Sequence, residues 1–208
     1  MFSNTIYYIA LAAPLLPLFI FAICRNKIAT GTPFLSVFLS LIAVDSLTNI
    51  LNVVMDESMG NVMIIVNFSV FIQSLLIVYL YKFFNTIHNK ILISTVILIA
   101  MSFVVESILK TKLLEPNTLS IIFSHTSIII LGWYILYNGY RNTSHFQFQV
   151  TAIIVLFNIV FLIKLLFQEK INDSIQLFDF VFITSSLFYL GVYLSFSRSI
   201  WLLQKNLD

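Results

Sequence analysis

Asp45, Asn49 and Asn52 recur at helical spacing inside the apolar run 34–54, so a carboxyl group and two carboxamides share one face of one helix. A carboxylate backed by amides in an apolar setting can hold a proton, a cation or a hydrogen-bonding ligand. Near the centre of a bilayer its charge costs several kcal/mol unless paired or hydrated, so it is a candidate for function by default. The structural alternative is a polar stripe that hydrogen-bonds neighbouring helices, each bond contributing about 1 kcal/mol or less.

Other polar side chains in apolar runs extend the set. Asn67 and His125 are further candidate ligand contacts, and the imidazole could accept a proton or bind a metal. One histidine makes no metal site, and His88 and His145 fall in loops at another depth. Lys164 and Asp179 lie one turn inside facing ends of successive apolar runs, which suggests an intramembrane ion pair with Glu106 as the alternative acidic partner; snorkelling of Lys164 to the interface is the structural alternative.

The elements that position these groups follow from hydropathy. Hydrophobic residues make up 60% of the chain and charged residues 10%, with a mean hydropathy of +1.00, outside the range of ordinary soluble domains. Apolar segments of roughly 20 residues match about 30 Å of hydrocarbon, and in lipid such segments are helices because each backbone polar group must be paired internally. The expected fold is an all-α membrane protein, a bundle of seven transmembrane helices over about 4–24, 34–54, 62–81, 91–109, 119–138, 148–167 and 175–197. Short connections leave no soluble domain. The N-terminus lacks a basic region and a small-residue cleavage site, so the first segment reads as a retained span.

Pro14 and Pro17 should kink the first span at its middle, and Pro33 suits the first turn of the second. The lone Cys24 reads as packing, and Trp201 suits the headgroup belt after the last span. Arg25, Lys27, Lys82, Lys90, Arg141, Arg198 and Lys205 fall on one side, against Lys110, Lys112 and Lys170 on the other. The positive-inside rule then puts the N-terminus outside and the C-terminus in the cytoplasm. In that orientation Asn49, Asn52, Asn67, Glu106, His125, Lys164 and Asp179 occupy the outer half, which suggests an outward-facing polar pocket.

A shift of 112 to 113 residues superposes the first three spans on the last three, pairing Asn4-Thr5 with Asn117-Thr118, but it matches few residues exactly and the chain has no Pro-Gln pair. The seventh run has no lysine, which excludes a retinal Schiff base there; no nucleophile motif and no basic patch supports proteolysis or nucleic-acid binding. No cofactor or catalytic residue is expected.

The proline-containing first helix, the 45–52 stretch opening Asp45-Ser46, the aromatic run 68–84 and Ser199-Ile200-Trp201 together resemble a group of small seven-helix membrane proteins of Bacteroidota, associated with neighbouring sensor-kinase genes. The resemblance implies the bacterial cytoplasmic (inner) membrane and a sensory role. The expected function is therefore a non-enzymatic sensory or interaction subunit in the lipid bilayer, with a membrane-protein partner and a small ligand reaching it from the extracytoplasmic side. One alternative is a small-solute transporter with its site around Asp45. Another is a membrane enzyme using His125 and carboxylates.

Overall fold

The computed structural model describes residues 2–24, 33–54, 59–84, 87–109, 118–139, 144–167, 171 and 174–205. These form α1 (Phe2–Ala12), α2 (Leu15–Cys24), α3 (Pro33–Val54), α4 (Met59–Tyr81), α5 (Asn89–Leu109), α6 (Thr118–Gly139), α7 (His145–Leu166) and α8 (Ile175–Lys205), with no strand among the described residues. Six helices are long and apolar enough to cross a membrane, and α1 with α2 forms a further bent pair. Large apolar side chains point outward along them, including Ile23, Ile108, Ile130 and Trp133. An apolar exterior around a mixed interior suits a bilayer and not water.

The bend falls where the prolines require it. Pro14 and Pro17 have no N–H to give to the preceding turn, and the axis turns by 41° between α1 and α2. Three-residue turns bridge the break, Ala13 N–H to Ala10 C=O and Leu16 N–H to Ala13 C=O, each at 3.1 Å. The Leu11 carbonyl is left for another donor.

The boundaries follow local chemistry. Helix α7 starts at His145, three residues earlier than hydropathy indicates, because Ser144 and Gln147 form a reciprocal capping box. Helix α8 continues through Arg198 to Lys205 instead of ending near Ser197. The hydroxyls of Ser197 and Ser199 bond back to Tyr193 and Ser195 carbonyls, and Ile200 is buried against the core. At 31 residues, α8 is about 46 Å long, well beyond the hydrocarbon thickness.

From α2 onward successive helices touch in chain order, and α8 returns against α1 and α2 to close a ring; α4 also reaches across to α6. Gly132 permits that crossing, since a Cβ there would meet a Val155 methyl and lie 2.6 Å from the Tyr81 hydroxyl. Small residues let membrane helices approach in this way. At one end of the ring Phe34 packs edge-on against Phe84 and Phe146 (5.8 and 5.9 Å between centroids), and Phe38 against Phe146 and Phe196 (5.9 and 5.0 Å). Edge-to-face pairs add about 0.5–1.5 kcal/mol each beyond burial. Cys24 is buried in this core, as packing requires.

Candidate functional site

Helix α3 places Asp45 near its middle, facing the interior of the ring. Gln73 on α4 donates its Nε2–H to Asp45 Oδ1 at 2.9 Å. The hydroxyls of Tyr189 and Tyr193, one turn apart on α8, both donate to Asp45 Oδ2. A carboxylate is acceptor-only, and three donors from two other helices converge on this one. No ion pair to Asp45 is formed among the described residues, and the three donors that reach it there are neutral.

The network extends to the break in the first span. Asn49 Nδ2 lies 2.9 Å from the Tyr189 hydroxyl oxygen and 3.2 Å from the Leu11 carbonyl, donating to both. The acceptor freed by the proline break is therefore held by a side chain that also touches the Asp45 cluster. Backbone released inside a membrane needs such a partner. The path runs from Leu11 through Asn49 and Tyr189 to Asp45, Tyr193 and Gln73, joining α1, α3, α4 and α8.

Beside Asp45 is a cavity of about 40 Å³, walled by Gln73, Tyr193 and Asn158 among apolar side chains that include Leu41, Ile154 and Phe196. That is room for a few water molecules and no organic ligand. One of the edge-to-face phenylalanines, Phe196, is part of that wall.

A second polar pair adjoins the cavity. Asn158 donates to the Ile154 carbonyl at 2.7 Å, which turns its Oδ1 towards His125 Nδ1, so Nδ1 carries the hydrogen. The imidazole also packs on Phe161, with 4.5 Å between ring centroids, and its Nε2 is buried without a hydrogen-bond partner among the described residues.

The remaining candidates separate. Asn52 Oδ1, one turn beyond Asn49, is buried with no hydrogen-bond partner among the described residues. Asn67 is buried beside Phe103, Ser120 and Ser124 around a void of only about 10 Å³. Glu106 is buried, and its carboxylate accepts the Leu119 and Ser120 N–H groups at 3.1 and 2.7 Å, capping the start of α6. The expected pair of Lys164 with Asp179 or Glu106 is not formed: Lys164 and Asp179 are both exposed, and the Glu106 carboxylate turns instead to the backbone N–H groups at the start of α6. The polar groups expected in the outer half thus divide among several clusters instead of lining one pocket. Asp45, Glu106 and His125 each bond to different partners among the described residues. Among the described residues no group of His, Cys, Asp and Glu could hold a metal.

Sequence reasoning missed Gln73, Asn158, Tyr189 and Tyr193. Each was visible as a polar residue within an apolar run, and the two tyrosines share a helical face by their spacing. What the sequence lacked was the ring closure that turns α8 towards α3. The hydroxyls of Ser40, Ser46, Thr48, Ser74, Ser94 and Thr95 bond to their own helix's preceding turn and contribute nothing to a site. No protein-family model matches the chain, and neither a curated protein nor a solved structure matches it.

Proposed function

We propose that this integral membrane protein is a non-enzymatic sensory or interaction subunit in which Asp45 is the receiving group and α8 the output element. The observation that carries the reading is the convergence of Tyr189, Tyr193 and Gln73 on Asp45, with Asn49 tying the same cluster to the break in the first span. The stimulus is small, because the adjoining cavity takes only water-sized occupants. A proton added to the Asp45 carboxylate at Oδ2 places a donor where two tyrosine hydroxyls already donate. One hydroxyl must turn away, and both belong to α8. That helix extends beyond the hydrocarbon, so a change in its hold on α3 can be read by a membrane-protein partner outside the bilayer core.

The orientation in this reading follows the basic residues: Lys82, Lys90 and Arg198 accompany the aromatic end of the ring, which faces the cytoplasm of a bacterial inner membrane. The likeness to seven-helix proteins of Bacteroidota that neighbour sensor kinases belongs to the same proposal, with α1 and α2 counted as one broken span.

Gentle extraction of native membranes, capture of the tagged chain and mass spectrometry test it. The expected result is a stoichiometric membrane-protein partner that is lost or reduced with Asp45→Asn. A partner-free chain that takes up solute in liposomes would overturn it in favour of transport. One observation favours that second reading: a broken span with a freed carbonyl beside polar side chains is how many transporters build a midplane site.

A further inference from the structure

A larger cavity than the one at Asp45 opens on the outside of the ring, between α4 and α5. It has a volume of about 320 Å³, and Val78, Leu92, Ile93, Val96 and Ile97 supply an apolar wall. Ile93 and Ile97 are about half exposed, so the groove faces the region that lipid tails fill. Its polar groups are Lys82 and Asn89, which flank the turn from α4 to α5 and sit at the end of the membrane-spanning helices. Lys82 stands over the exposed Tyr79 ring, 5.5 Å from its centroid, and makes no ion pair among the described residues.

We propose that this groove is a binding site for one anionic phospholipid. The acyl chain lies along Ile93 and Ile97, and the phosphate is held by the Lys82 ammonium with Asn89 as a second donor. The arrangement matches charge and depth together: an apolar channel at tail level ends in a fixed cation at headgroup level. An ammonium near the surface favours an anionic headgroup by about fivefold in affinity. Tyr79, half-exposed at the same level, supplies the amphipathic ring that interfaces favour. The site is separate from Asp45 and does not depend on the function proposed above.

Native mass spectrometry of the full chain in detergent, titrated with phosphatidylglycerol or phosphatidylcholine of identical acyl chains, tests the assignment. The expected result is one tightly retained phosphatidylglycerol, about fivefold preferred. Lys82→Gln should abolish the preference, Lys90→Gln should keep it, and Ile93→Trp should lower retention of both lipids. Equal binding of the two lipids by the wild type, or an unchanged preference in Lys82→Gln, would overturn it. Displacement of the bound lipid by glycerol 3-phosphate, which has no tails, would also overturn it by showing a free-anion site.

Discussion

Tyr193 donates its hydroxyl hydrogen to the carboxylate of Asp45 across a separation of 148 positions in the chain. The contact exists because the last helix closes the ring against the first span and turns its tyrosines inward. Tyr189, one turn earlier, makes the same bond and accepts another from Asn49. A single carboxylate therefore holds α3, α4 and α8 together, with the first span attached through Asn49.

Removing that carboxylate strands several donors at once. Asp45→Ala should lower the stability of the folded chain by about 1–3 kcal/mol, the cost of leaving buried polar groups unsatisfied. Asp45→Asn keeps an acceptor oxygen and should cost less. Thermal unfolding in detergent reads both, and equal losses would show that the hydrogen bonds contribute little.

Two glycines should respond in opposite ways. Gly132→Ala forces a methyl into Val155 and the Tyr81 hydroxyl, where overpacking costs about 1–3 kcal/mol. At Gly191 a Cβ meets nothing within 4 Å, so Gly191→Ala should be neutral or raise stability by about 0.5–1 kcal/mol through helix propensity. Unfolding midpoints of the two variants decide it.

Glu106 should behave as a helix cap. Glu106→Ala is expected to cost about 1–2 kcal/mol, and hydrogen exchange at the Leu119 and Ser120 amides should accelerate while α7 is unaffected. Glu106→Gln should recover part of the loss by keeping acceptor oxygens without the charge. Protection of both amides in Glu106→Ala would contradict the assignment.

The His125–Asn158 pair admits a double-mutant cycle. His125→Phe keeps a ring against Phe161 but strands Asn158 Oδ1, at a cost of about 1–3 kcal/mol. Adding Asn158→Leu should bring the double variant closer to wild-type stability, because both partners are then gone. Strictly additive losses would argue that the two side chains act separately.

Much of the architecture was legible in the sequence because membrane insertion makes hydropathy and helix length nearly equivalent. The proline break appears where Pro14 and Pro17 lie, and Asp45 sits inside the bundle as its cost in lipid demands. Partners were harder to read. Gln73 and the two tyrosines rank low among intramembrane polar groups, because amides and phenols are tolerated where charges are not. Their meaning appears only when α8 is placed opposite α3. The Lys164 pairing failed for a related reason: adjacent helices bring two charges to similar depth, but their faces decide whether they meet, and here both face outward. Glu106 reads in the sequence as an ionisable group in lipid, whereas the nearby start of α6 offers it backbone donors that hydropathy does not reveal.

In the function proposed above, the state of Asp45 controls how α8 sits relative to the first span. Spin labels at Ile9 on α1 and Trp201 on α8, both on exposed positions, report that relation by electron double resonance in liposomes. The distance distribution should shift between acidic and alkaline buffer in the otherwise wild-type chain and stay fixed in Asp45→Asn. A distribution unmoved by pH, or an equal shift in Asp45→Asn, would contradict it.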